Sequence, residues 1–131
     1  MNYDFIEIGT SFFNTRGLNA LPDEKGIIVE PVKPALDKIP TKPNVKKLHL
    51  AVAYKTGTCS IRYIKPAFWD SFPRWILGCV SVDSLHPRLI ELKKAGKLVD
   101  EQIQEDVVRC ITLSELFDIY NVTKIGELKA Q

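Results

Sequence analysis

The chain has 131 residues, 45% of them hydrophobic, which suits one globular domain with a single core and is short for two. Its 18 Lys and Arg against 16 Asp and Glu leave a formal charge of +2, too balanced to point to nucleic acid or an anionic membrane as a partner. Apolar runs fall short of the roughly 20 residues that span a bilayer, and Met1-Asn2-Tyr3-Asp4 lacks a basic signal-peptide start, so a cytoplasmic protein is expected.

In chain order, Tyr3 to Ile8 is a short apolar, β-branched and aromatic run ending in Gly9-Thr10-Ser11, which predicts a buried strand feeding a turn. Gly26 to Glu30 predicts a second strand closed by Pro31, and Pro31 to Ile39 has helix-start character with Leu36 and Ile39 on one face. The third run, Lys47 to Ala53, is followed by Lys55-Thr56-Gly57 and reads as a strand entering a hairpin, with Thr58 to Ile64 as the returning arm and His49 inside the strand. Near-continuous apolar strands joined by crossovers are the pattern of a parallel sheet covered on both faces. The expected fold is therefore α/β: a Rossmann-like three-layer sandwich with a partial, mostly parallel sheet.

Residues 65 to 87 interrupt that pattern. Pro66, Phe68, Trp69, Phe72, Pro73, Trp75 and Pro87 make an aromatic, proline-punctuated segment that reads as an insertion or lid, the insertion extending to about residue 104 within one domain of residues 1 to 131. A polar helix is predicted over Arg88 to Lys94, with Ala95-Gly96 as its stop. Asp106 to Ile111 predicts a strand, and Thr112-Leu113-Ser114-Glu115 is a capping-box pattern opening a helix through Tyr120. Lys124 to Lys129 predicts a last strand, cut off by the end of the chain and lying beside the first. Cys59, Cys79 and Cys110 are widely spaced, with only His49 and His86 as companions, which predicts reduced packed thiols and no metal site.

The strongest chemical constellation joins the ends of the first two strands. Ligands of open α/β sheets bind at the carboxyl ends of strands, and Gly9 would let a ligand approach the backbone there. Gly9-Thr10-Ser11 is thus a candidate binding loop, with Glu7 just before it. Glu30 follows roughly 20 residues further on, at the end of the second strand, where an acidic side chain can accept both hydroxyls of a ribose. The plainer alternative leaves Glu7 as a partly buried strand residue and Glu30 as an exposed strand end. Phe12 and Phe13 stand where a dinucleotide fingerprint needs glycines, which weakens a dehydrogenase reading. His86 is a candidate base for an acceptor hydroxyl, since its ordinary pKa suits proton removal near neutrality. Trp69, Trp75, Phe68 and Phe72 form either an acceptor-binding wall or core and lid packing.

The strings Asp4-Phe5-Ile6-Glu7-Ile8-Gly9-Thr10-Ser11, Gly26-Ile27-Ile28-Val29-Glu30-Pro31 and Val45 to Ala53 resemble the opening of FkbM-type S-adenosylmethionine-dependent methyltransferases of class I. Trp75 to Ser81, His86-Pro87 and the Thr112-Leu113 junction are similar to a subgroup of that family. The resemblance implies S-adenosyl-L-methionine as cofactor, with Glu7, Gly9, Thr10 and Ser11 in the first cofactor loop. It implies that Glu30, followed by Pro31, holds the ribose and that Ala51 and Val52 lie near the adenine. The expected reaction is O-methylation of a small molecule or sugar, with Trp75 and Ser81 toward the acceptor and His86 as the catalytic candidate. In that family the strand resembling Gly126 to Lys129 continues into an Asp-x-Glu-Gly segment and further strands, whereas this chain stops at Gln131. Two consequences are expected: a truncated, non-catalytic binding or assembly module as the alternative to an enzyme, and a homodimer built on the unpaired edge of the last strand.

Overall fold

The computed structural model describes residues 1–10 and 16–130. Ser11, Phe12 and Phe13 fall outside the described residues. Four parallel strands form the first sheet: β1 (Asn2–Ile8), β2 (Gly26–Val29), β3 (Val45–Leu48) and a late strand at Lys124–Ala130, in the order β3-β2-β1 and then that late strand. The chain is thus mixed α/β with a mostly parallel sheet, compatible with a Rossmann-like arrangement.

Both faces of this sheet are covered, which is why its central strands are apolar on consecutive residues rather than alternate ones. Ile6, Ile27 and Val29 pack with Leu116 of a helix at Leu113–Ile119, while Phe5 and Ile28 pack with Leu36 and Ile39 in and after α1 (Lys33–Asp37). Phe5 and Gly26 are register partners, and the Phe5 ring occupies the space a side chain at Gly26 would need.

A second, three-stranded sheet was not foreseen. It contains β4 (Ala51–Val52), β5 (Gly57–Ile64) and β6 (Ile103–Ile111) in the order β4-β6-β5. The expected hairpin is therefore corrected. The third run breaks at His49-Leu50 into β3 and β4, which join different sheets, and β5 pairs antiparallel with β6, not with the strand before it. His49 lies between strands, its Nε2 3.0 Å from the Pro31 carbonyl oxygen.

Ile64 and Ile103 are paired across β5 and β6, so the chain leaves the sheet and returns at one point, and residues 65–102 form an excursion between them. The excursion carries a 3-10 turn (Pro66–Ser71), α2 (Arg74–Leu77) and α3 (Pro87–Lys94). Its aromatics divide. Trp69 is buried in the core of the second sheet with Ile76 and Leu77, its indole N–H donating to the Ile64 carbonyl, whereas Trp75 is 62% exposed. α3 ends at Ala95 with Gly96 at φ 71°, a left-handed position that suits glycine. Thr112 and Glu115 form the reciprocal cap of α4 (Leu113–Ile119), and β7 (Lys124–Ala130) completes the first sheet beside β1. All three cysteines are free and buried; burial first, and Cys110 alongside, push the Cys59 thiol up to about 11, so it stays protonated near neutral pH.

Candidate functional site

The first sheet opens at its carboxyl ends into a cavity of about 1060 Å³. That is at the upper end of the roughly 300–1,000 Å³ common for small-molecule sites. β1 supplies one corner through Gly9 and Thr10. Gly9 has φ 79°, which a β-carbon disfavours, and its N–H donates to the Val29 carbonyl, turning the chain across the end of β2. β2 contributes Glu30 and Pro31, and β4 contributes Ala51 and Val52.

The opposite wall comes from the excursion, through Arg74, Trp75, Ser81 and His86. Asp83 explains how that wall is held. Its backbone N–H donates to the Ser60 carbonyl while its carboxylate accepts from the Ser60 N–H, a reciprocal clasp made at φ 58°. Val82 bridges to Ile61 beside it, so residues 80–82 lie along the cavity. The Ser60 N–H, then Lys55, hold the Asp83 carboxyl below the usual carboxylate range.

Glu30 is the best-defined group in the site. Only 4% exposed, it accepts hydrogen bonds on Oε1 from the Thr10 N–H (2.9 Å) and hydroxyl (2.8 Å), and on Oε2 from the Val32 N–H (2.9 Å). Burial raises its pKa above the ordinary glutamate value. The Val32 and Thr10 donors oppose that shift and the nearby Glu7 adds slightly to it. A carboxylate has about four acceptor positions, so three internal donors leave one open on Oε2.

Glu7 sits apart from this lining. It is fully buried, its side chain 3.6 Å from Lys129 Nζ, and Lys129 is its register partner on β7. Neither acid matches the plainer expectation of a partly buried or exposed strand residue. Nine of the positions singled out from the sequence line one cavity: Gly9, Thr10, Glu30, Pro31, Ala51 and Val52 on the sheet side, and Trp75, Ser81 and His86 on the other. Ser11 is outside the described residues.

His86 does more than border the cavity. It is the N-cap of α3, its Nδ1 accepting the Arg88 N–H at 3.1 Å. The cap uses the Nδ1 lone pair, so a neutral ring carries its proton on Nε2 and offers a donor. Proton removal by Nε2 requires the ring to give up the cap. Arg74, missed in the sequence, is the cation of the lining; its position directly after Pro73 and before Trp75 was the available signal. Among the described residues no group of three His, Cys, Asp or Glu side chains is placed to hold a metal ion, and no helix is long and apolar enough to cross a membrane.

Fold and site together define an α/β domain with a cavity at the carboxyl ends of a parallel sheet. No family model matches the chain, and no curated protein or solved structure matches it.

Proposed function

We propose that this chain is a cytoplasmic S-adenosylmethionine-binding domain of the FkbM methyltransferase type that methylates an oxygen of a small molecule or sugar. The observation that carries the reading is Glu30, a buried carboxylate at the end of β2, hydrogen-bonded to the Gly9-Thr10 turn at the end of β1 and lining the cavity. Glycine at a positive φ leaves the backbone open on one side, and a carboxylate on the other accepts ribose hydroxyls. Ala51 and Val52 provide the apolar surface an adenine needs. Ser11 and Glu7 belong to the same proposed cofactor loop, Glu7 from beneath it.

The cofactor supplies an electrophilic methyl on a sulfonium, so the residues of this chain act mainly by orientation. Trp75 and Ser81 are assigned to the acceptor. His86 in its capped form donates a hydrogen bond to the acceptor oxygen, and its role as base depends on release of the cap. Residues 65 to 104 act in this reading as an insertion that carries the acceptor wall within one domain.

A second reading, a non-catalytic binding or assembly module, is favoured by the same two hydrogen-bond sets: Glu30 already engaged by Thr10 and Val32, and His86 engaged by its helix. Calorimetry with S-adenosylmethionine, S-adenosylhomocysteine and NAD separates the possibilities. Both sulfur nucleosides binding, with NAD inert, supports the domain reading, and transfer to an acceptor then separates enzyme from module. NAD alone binding points to a dehydrogenase.

A further inference from the structure

The second sheet has one buried face and one bare face. Cys59 and Ile61 of β5 and Val108 of β6 point into the core, so the alternate residues, Thr58, Ser60 and Arg62 on β5 and Glu105, Val107 and Arg109 on β6, share the other side. Val107 stands at the middle of that side and is 73% exposed, so no described element lies over it. Its neighbours are charged in opposite senses. Glu105, two residues before it, accepts the Arg62 Nε–H on Oε2 at 3.1 Å, which leaves Oε1 for a further donor. Arg109, two residues after it, is exposed and has no partner among the described residues.

We propose that this face binds the same face of a second copy of the chain about a two-fold axis at Val107. An axis lying between the two faces and crossing β6 at right angles turns the second β6 antiparallel over the first. Val107 then meets Val107, Glu105 of each copy meets Arg109 of the other, and the Thr58 hydroxyl lies opposite Arg62, so no like charges directly face each other. The parallel alternative sets Glu105 on Glu105 and Arg109 on Arg109, which repulsion disfavours. Sheets packed face to face stand about 10 Å apart, a gap that Glu and Arg side chains close from opposite sides, and the pairing gives Arg109 the carboxylate it lacks within one copy. The contact is two strands wide, narrower than a standard interface, so the dimer is weak and belongs to high protein concentration. It lies in the other sheet from β7, needs neither the cavity nor the nucleoside reading, and is separate from pairing at the β7 edge.

The test is sedimentation velocity on the Leu128→Lys chain, in which pairing at β7 is blocked, over a dilution series carried to the highest soluble concentration. A monomer that gives way to dimer at the top of the series is expected. Arg109→Glu and Glu105→Arg, each added to that chain, should weaken the dimer at least roughly tenfold, because each sets like charges against one another, while circular dichroism stays that of the parent. An equimolar mixture of these two variants should dimerise as the parent does, since the two acids of one then face the two arginines of the other. Val107→Lys, which puts two cations on the axis, should remain monomeric throughout. A parent chain that stays monomeric at every concentration, a dimer indifferent to both charge reversals or to Val107→Lys, or folded variants whose mixture stays monomeric overturns the proposal.

Discussion

Replacing Glu30 should cost stability as well as affinity. Two backbone N–H groups, of Thr10 and Val32, and one hydroxyl, of Thr10, donate to this carboxylate in a site where Glu30 is 4% exposed and Thr10 is 1% exposed. In Glu30→Ala the hydroxyl can turn to another acceptor, but the two N–H groups cannot. At about 1–3 kcal/mol for each buried donor left without a partner, the expected loss is about 2–6 kcal/mol, a large fraction of the ~5–15 kcal/mol that holds a domain together. Glu30→Gln keeps one acceptor oxygen and should lose about 1–3 kcal/mol. Urea unfolding followed by circular dichroism reads both as shifts in midpoint at constant slope. The pH dependence carries a separate signature. Because burial raises the folded pKa above the unfolded one, the folded state holds the proton longer. Stability from this group is full below the unfolded value of about 4.3 and declines as pH rises from there through the raised folded value. Glu30→Gln should lack that decline. A Glu30→Ala chain within about 0.5 kcal/mol of wild type would refute the argument that these hydrogen bonds are buried and unreplaced.

Three further outcomes are expected. Gly9→Val should abolish S-adenosylhomocysteine binding in a folded chain, since a branched residue at φ 79° forces the turn to move; retained affinity by calorimetry would place the site elsewhere. Gly26→Ala should destabilise by about 1–3 kcal/mol in thermal or urea unfolding, because the added methyl would stand 2.2 Å from Cζ of Phe5, a ring only 1% exposed that would have to shift; an unchanged midpoint would show that the ring moves freely. The proposed homodimer through β7, where Leu128 is 48% exposed and the described pairing is to β1 alone, should appear in light scattering as a mass that falls on dilution; Leu128→Lys should shift it to monomer, and a monomer at every concentration would refute it.

Local signals in the sequence carried most of the elements, and non-local pairing carried what was missed. The apolar runs of β1 and β2, the Thr112–Glu115 cap and the Gly96 stop depend on neighbours within a few residues, so their physics is visible in the string itself. The destination of β5 is not. Lys55-Thr56-Gly57 looks like a hairpin turn, yet Cys59 pairs with Val108 and Ile61 with Asp106, partners whose claim on β5 arises only once residues 65–102 have folded back. The site followed the same division. Gly9 and Glu30 were legible because a parallel sheet places strand ends side by side, whereas Arg74 reads as an ordinary surface arginine until Asp83 clasps Ser60 and brings the excursion over the cavity. The internal bonds of Glu30 were equally hidden, since the positions of the Thr10 and Val32 donors depend on two turns meeting.

The central claim is that Glu30 receives the ribose of a sulfur-linked nucleoside, and the most direct test is calorimetric titration of S-adenosylhomocysteine into wild-type and Glu30→Gln chains, both shown to be folded under the conditions used. Saturable one-to-one binding by the wild type is predicted, weakened in Glu30→Gln by about 1.5–3 kcal/mol, the range for hydrogen bonds to a charged group. Equal affinity in the two chains, or no binding by a folded wild type, would contradict the assignment.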